Sequence, residues 1–198
     1  MLASEWESLM HLSYDDNGKG NDISKRRNIL SLIFQSNINT PTKEYRALFA
    51  LQTSYAIIVK LIACKVIDKI DFGISTQKYS DLTKVSALEL QEFLEKLEDG
   101  YVYKSSNIIN LLEGDFFSWY STKEQWDEKL WRIIINIIER IDEYTTFSFE
   151  ISYKPVDIFK DLYMSIIPKA VRHSMGEYFT PSWLADYVVT ESIQLQKK

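Results

Sequence analysis

Apolar residues recur along most of the chain at three- and four-residue intervals, the spacing of one helix face. Only six Gly and four Pro interrupt that pattern. It predicts a first helix over Ala3 to Leu12, with Trp6 and Met10 on one face and Leu2 beside them. A polar loop of turn formers follows from Asp15 to Asp22, then a helix from about Ser24 to Gln35. Asn37 to Thr42 breaks the pattern, and Thr42 is the predicted cap of a long helix reaching about Ile70. Ser86 and Glu89 match a capping box, and the helix they open ends near Gly100. Ser121 and Glu124 repeat that signature ahead of the most amphipathic segment. There Trp126, Leu130, Ile134, Ile137 and Ile141 form a stripe, widened by Trp131, Ile135 and Ile138. Glu128, Arg132, Asn136 and Arg140 lie opposite.

Segment 145–153 carries β-branched and aromatic residues in partial alternation, and reads as a short strand or an extended connector. Helix resumes at Val156, with Phe159, Leu162, Tyr163 and Ile166 directed inward. A last helix has Thr180 at its N-cap and Pro181 at its first position, and runs to about Gln194. The predicted fold is mainly α, a multi-helix domain, with no internal repeat and no low-complexity tract.

Composition narrows the function classes. A chain of 198 residues with 45% hydrophobic and 26% charged residues is that of an ordinary globular protein with a real core. Lys plus Arg is 23 against 28 for Asp plus Glu, a formal net charge of -5. That weighs mildly against a dedicated nucleic-acid-binding module, since phosphate neutralisation needs local positive charge. The single cysteine, Cys64, forms no internal disulfide and suits a reducing cytoplasm. Residues 1–13 lack a positive n-region and carry Glu5, Glu7 and His11, so no secretory signal is read there. The most apolar stretch, Leu48 to Ile67, is interrupted by Gln52, Thr53, Ser54, Lys60 and Lys65. It reads as a buried helix, not a membrane span, and the expected location is cytoplasmic.

Candidate chemistry is sparse. His11 and His173 are far apart, Cys64 sits on an apolar helix as core residues do, and no metal-site spacing exists. Phosphate-binding loops and dinucleotide fingerprints are absent. Asp127-Glu128-Lys129 has the letters of a nuclease acid–x–Lys pair, but at the start of an amphipathic helix it reads as a solvated charge run.

The last forty residues are more specific. Asp157-Ile158-Phe159-Lys160-Asp161-Leu162-Tyr163 leads through Ile166, Ile167 and Arg172 to Gly176-Glu177-Tyr178-Phe179-Thr180-Pro181. Ser182-Trp183-Leu184-Ala185-Asp186-Tyr187-Val188-Val189 follows. Locally this is a helix, a glycine stop, an aromatic loop and a new helix. As a whole the string resembles the segment leading into the catalytic domain of adenine-specific DNA methyltransferases of type I and type IIG restriction–modification systems. There a helix with a Leu-Tyr pair and a basic stretch precedes Gly-x-Tyr/Phe-Tyr/Phe-Thr-Pro. The strong match covers roughly a fifth of the chain; the helix around Gln52, Tyr55, Lys60 and Leu61 resembles the family's leading helical region less specifically.

The resemblance implies a cofactor, S-adenosylmethionine, with Tyr178, Phe179, Thr180 and Pro181 beside it. A helix N-terminus suits the cofactor's carboxylate, and aromatic faces suit its sulfonium and adenosine. The family's later Gly-rich loop and Asn/Asp-Pro-Pro-Tyr/Phe motif are missing, since no Pro-Pro occurs and Gly176 is the last glycine. No catalytic residue is therefore assigned in this chain, and tight cofactor binding by it is not expected. The implied organisation is a helical domain over 1–153, then a connecting helix, the motif and the first methyltransferase helix over 154–198. The chain stops straight out of a helix, which reads as the front of a longer enzyme. Implied partners are DNA, with a specificity subunit or nuclease partner, and no membrane. The alternative reading is a non-enzymatic helical interaction module that docks a specificity subunit or DNA.

Overall fold

A computed structural model describes residues 5–8, 20–70, 79–109, 117–144, 158–174 and 177–196, and among these it is mainly α with no strand. Segment 145–153, and Met10 and Leu2 of the first predicted helix, lie outside the described residues. Residues 5–8 are helical, with Trp6 buried as the pattern requires. Helix α1 spans Gly20–Ile33, so the polar run expected to stay a loop through Asp22 already belongs to its first turn. Helix α2 spans Pro41–Ile70. Its cap is Thr40 rather than Thr42: the Thr40 hydroxyl accepts from the Lys43 amide (3.3 Å) and its carbonyl from Glu44 (3.0 Å). Pro41 then takes the first helical position, where a missing N–H leaves no bond unmade.

Helix α3, Ala87–Glu98, opens with the predicted capping box. The Ser86 hydroxyl accepts from the Glu89 amide (3.3 Å) while the Glu89 carboxylate accepts from the Ser86 amide (2.8 Å). These bonds hold the Glu89 carboxyl below its ordinary range. Ser86→Ala is expected to destabilise the chain by about 1 kcal/mol, read as a lower urea midpoint at unchanged slope. At the other end Gly100, with φ 69°, turns the backbone into the left-handed region, which reverses the chain into the one-turn helix α4, Tyr101–Lys104.

Helix α5 is Glu128–Glu143, and Asp127 caps it by accepting from the Leu130 amide at 2.7 Å. Ser121 and Glu124 therefore do not cap it. Ser121 ends a short 3-10 turn, Ser118–Ser121, where its hydroxyl donates to the Ser118 carbonyl and its own carbonyl is held by buried Gln91. Within α5 the apolar stripe is as read: Ile134 and Ile138 are fully buried, while Glu128, Arg132, Asn136 and Arg140 are exposed. The Asp127-Glu128-Lys129 run is solvated, with Glu128 paired to Arg132 at 2.6 Å. Helices α6, Ile158–Ile166, and α7, Lys169–Ser174, follow, parted by Pro168. Helix α8, Ser182–Gln196, comes last.

Helix α2 organises the core. Its first half, through Tyr45, Leu48 and Phe49, packs with Leu30 of α1 and Ile167 and Val171 of the α6–α7 region. Its second half, through Ile57, Leu61 and Cys64, packs on α3, α4 and α5. By length and composition α2 could cross a bilayer, yet its apolar stretch is mostly buried inside the bundle. Two of its lysines are interior too. Lys60 pairs with Glu98 at 2.6 Å. Lys65 Nζ donates to the carbonyls of Ile141 (2.8 Å), Asp142 (3.2 Å) and Tyr144 (2.8 Å), closing the C-terminal end of α5 with a cation. Buried tyrosines are satisfied likewise: Tyr79 donates to the Ile138 carbonyl (3.2 Å) and Tyr103 to that of Lys60 (3.1 Å). Burial drives both phenols well above their usual range.

Candidate functional site

The residues singled out by sequence lie on the segment joining α7 to α8, and Gly176 at its start lies outside the described residues. Glu177 to Pro181 carries no helix, and α8 begins where the Leu184 and Ala185 amides both donate to the Pro181 carbonyl (3.0 and 3.1 Å). That carbonyl acceptor makes Pro181 the capping position, one residue later than expected. Tyr178 is 69% exposed and Phe179 39%, and Thr180 and Pro181 are exposed as well. The four expected cofactor residues thus form an accessible aromatic ledge at a helix N-terminus.

What fixes that ledge is a side chain the sequence marked as inward-facing and as the tyrosine of the Leu-Tyr pair, with no site role. Tyr163, on α6, accepts a hydrogen bond from Gln52 Nε2 of α2 (3.2 Å) and donates its own hydroxyl proton to Glu177 Oε2. Its ring meets Tyr55 of α2 edge-on at 4.8 Å and Phe179 edge-on at 5.9 Å. Tyr55 in turn donates to the Phe159 carbonyl (3.1 Å), tying α6 to α2 a turn away. Phe179 has cations on its faces: Lys160 Nζ stands 5.4 Å and Arg172 Cζ 5.7 Å from the ring centroid. Each such contact is worth roughly 0.5–1 kcal/mol where exposed. Arg172 is itself buried and anchored by donating to the Ile167 carbonyl (3.1 Å). His173 stacks near Tyr178 with centroids 4.6 Å apart.

Burial raises the Glu177 carboxyl, against the opposing pull of the Tyr163 hydroxyl and the Arg172 guanidinium. Burial raises the Tyr163 phenol too, reinforced by Glu177. For a carboxyl raised on folding, the stability it contributes is full below its unfolded value. It is lost as pH climbs through the raised one.

Other charged clusters are paired within themselves. Lys60, Glu98 and Tyr120 form one buried group; in another, buried Glu44 receives buried Arg26 and partly exposed Arg27, joining two helices. Cys64 is buried and its thiol is pushed up to about 12, chiefly by desolvation, which leaves it inert. Among the described residues no group of three or more His, Cys, Asp or Glu is placed to hold a metal. A shallow apolar groove of about 360 Å³ runs between α2 and α5, lined by Ile58, Ile133, Ile137 and Ile141 and rimmed by Asn136 and Arg140.

Helix α8 differs from the rest. Trp183 is 70% exposed, and Tyr187, Val188, Val189 and Ile193 are exposed as well. Trp183 and Tyr187 fall on one side of the helix and Val189 and Ile193 on another, so its apolar surface is not a single stripe. Comparison of the chain with protein-family models, curated proteins and solved structures gives no match in any of the three.

Proposed function

We propose that this chain is the leading helical part of a site-specific DNA adenine methyltransferase of a bacterial restriction–modification system, acting in the cytoplasm. The observation that carries the reading is the Gly176-Glu177-Tyr178-Phe179-Thr180-Pro181 string, of which Tyr178 to Pro181 form an exposed ledge at the N-terminus of α8. A helix N-terminus offers amides and positive potential to a carboxylate, and the exposed Tyr178 ring offers a face to a sulfonium or an adenine, while Phe179 already carries Lys160 and Arg172. S-adenosylmethionine has all three groups. The ledge supplies one wall only, whereas a pocket normally encloses most of a ligand of that size. The remaining walls and the catalytic Pro-Pro motif would follow in the complete enzyme, which would flip its target adenine out of the duplex.

An apolar helix exposed on more than one side favours a second reading. In it the chain is a non-enzymatic helical interaction module that docks a specificity subunit or DNA, with α8 as the docking surface for the subunit.

Methyl transfer from tritium-labelled S-adenosylmethionine to DNA separates the two. The complete protein, with the chain that follows Lys198, is expected to label adenine, and residues 1–198 alone to label nothing. In the complete protein Phe179→Ala is expected to weaken cofactor binding roughly ten-fold, and Thr180→Ala by less, with DNA affinity nearly unchanged. No labelling by the complete protein, or intact cofactor affinity in both variants, would sink the methyltransferase reading. Labelling by residues 1–198 alone would overturn the assignment of the catalytic machinery to the chain outside them.

A further inference from the structure

We infer that Tyr163 is a positioning residue: its hydroxyl, fixed by Gln52 of α2, holds Glu177 and so sets the direction in which the 177–181 segment and α8 leave the helical bundle. The geometry is a relay of three side chains from three parts of the chain. Gln52 Nε2 donates to the Tyr163 hydroxyl at 3.2 Å, and that hydroxyl donates to Glu177. The Tyr163 ring is pinned between Tyr55 and Phe179, so the hydroxyl has little freedom to seek another acceptor. The Glu177 amide donates to the Arg172 carbonyl at 3.0 Å, which fixes the same residue by its backbone.

The side chains of α8 are exposed along most of its length, so the few residues of the relay decide where it points. The charged and titratable groups around Glu177 are Tyr163 from α6 and Arg172 from α7. Lys160 and His173 flank the neighbouring rings of Phe179 and Tyr178, and Tyr55 of α2 lies against Tyr163. The Glu177 carboxylate accepts the Tyr163 proton and faces the Arg172 guanidinium, and both contacts favour its charged form against burial.

This inference goes beyond the methyltransferase reading and needs neither cofactor nor DNA. Spin labels on cysteines placed at the exposed positions Ser54 of α2 and Thr190 of α8 report the angle directly as a distance distribution. Cys64 stays unlabelled because its buried thiol is not ionised. The wild-type chain is expected to give one narrow distribution at neutral pH. Tyr163→Phe removes one oxygen and should broaden it roughly two-fold as a second orientation becomes populated. Glu177→Ala should do the same. Glu177→Gln, whose amide oxygen still accepts from Tyr163, should stay narrow. A distribution equally narrow in Tyr163→Phe, or already broad in the wild type, overturns the inference.

Discussion

Glu98→Ala is expected to destabilise the chain by about 3–5 kcal/mol, the usual consequence of taking one partner from a buried ion pair. Glu98 accepts from Lys60 Nζ at 2.6 Å through one carboxylate oxygen and from the Tyr120 hydroxyl through the other. Lys60 is 2% exposed and Tyr120 fully buried, so the variant strands a cation in an apolar interior where no water replaces the carboxylate. For a chain of this size the loss corresponds to a melting temperature lower by on the order of 10 °C. Replacing the whole group, as Lys60→Met, Glu98→Leu and Tyr120→Phe together, is expected to recover most of that stability, because desolvation of the charges disappears along with their attraction. Denaturant unfolding of the single and triple variants checks both statements. A single variant as stable as the parent would mean that Lys60 reaches solvent.

Glu44→Ala is the second large effect, on the order of 3 kcal/mol, with a different signature. Glu44 receives Arg26 on one carboxylate oxygen and Arg27, at 2.7 Å, on the other, both from α1. Arg27 is partly exposed, and water can take over part of its solvation, so the loss falls at the lower end of the range for buried pairs. The carboxylate clasps α1 to the start of α2, while the packing of Leu30 remains. The variant should therefore loosen α1 selectively, seen as faster amide exchange across Gly20–Ile33 before global unfolding. Uniform acceleration over all helices would assign Glu44 to the common core instead.

The ledge was only half legible in the sequence. Tyr178, Phe179, Thr180 and Pro181 stand in one string, and the helix start beside them follows from local rules. Their anchor does not. Gln52 and Tyr163 are 111 residues apart, and neither bears a local mark of a polar contact. Glu177 stood in the string, yet only packing brings it to Tyr163. The hints available were the inward face of Tyr163, its place in the Leu-Tyr pair and the naming of Gln52 and Tyr55 on the long helix, none of which says that they meet.

What the sequence determined by itself is the mainly helical character, the capping box at Ser86 and Glu89, the stop at Gly100 and the buried stripe of α5. Each depends on bonds or side-chain neighbours three or four residues apart, so the chemistry is written in adjacent letters. Only the tertiary structure decided that Ser121 is not a cap, because Gln91 from α3 holds its carbonyl at 2.5 Å. It alone decided that Lys60 and Lys65, charged interruptions of an apolar run, are interior residues serving Glu98 and the end of α5. Those partners lie 38 and at least 76 positions away. A charge can be buried only where a distant element brings its counter-charge or carbonyls, and that meeting is fixed by how helices pack, not by the residues on either side.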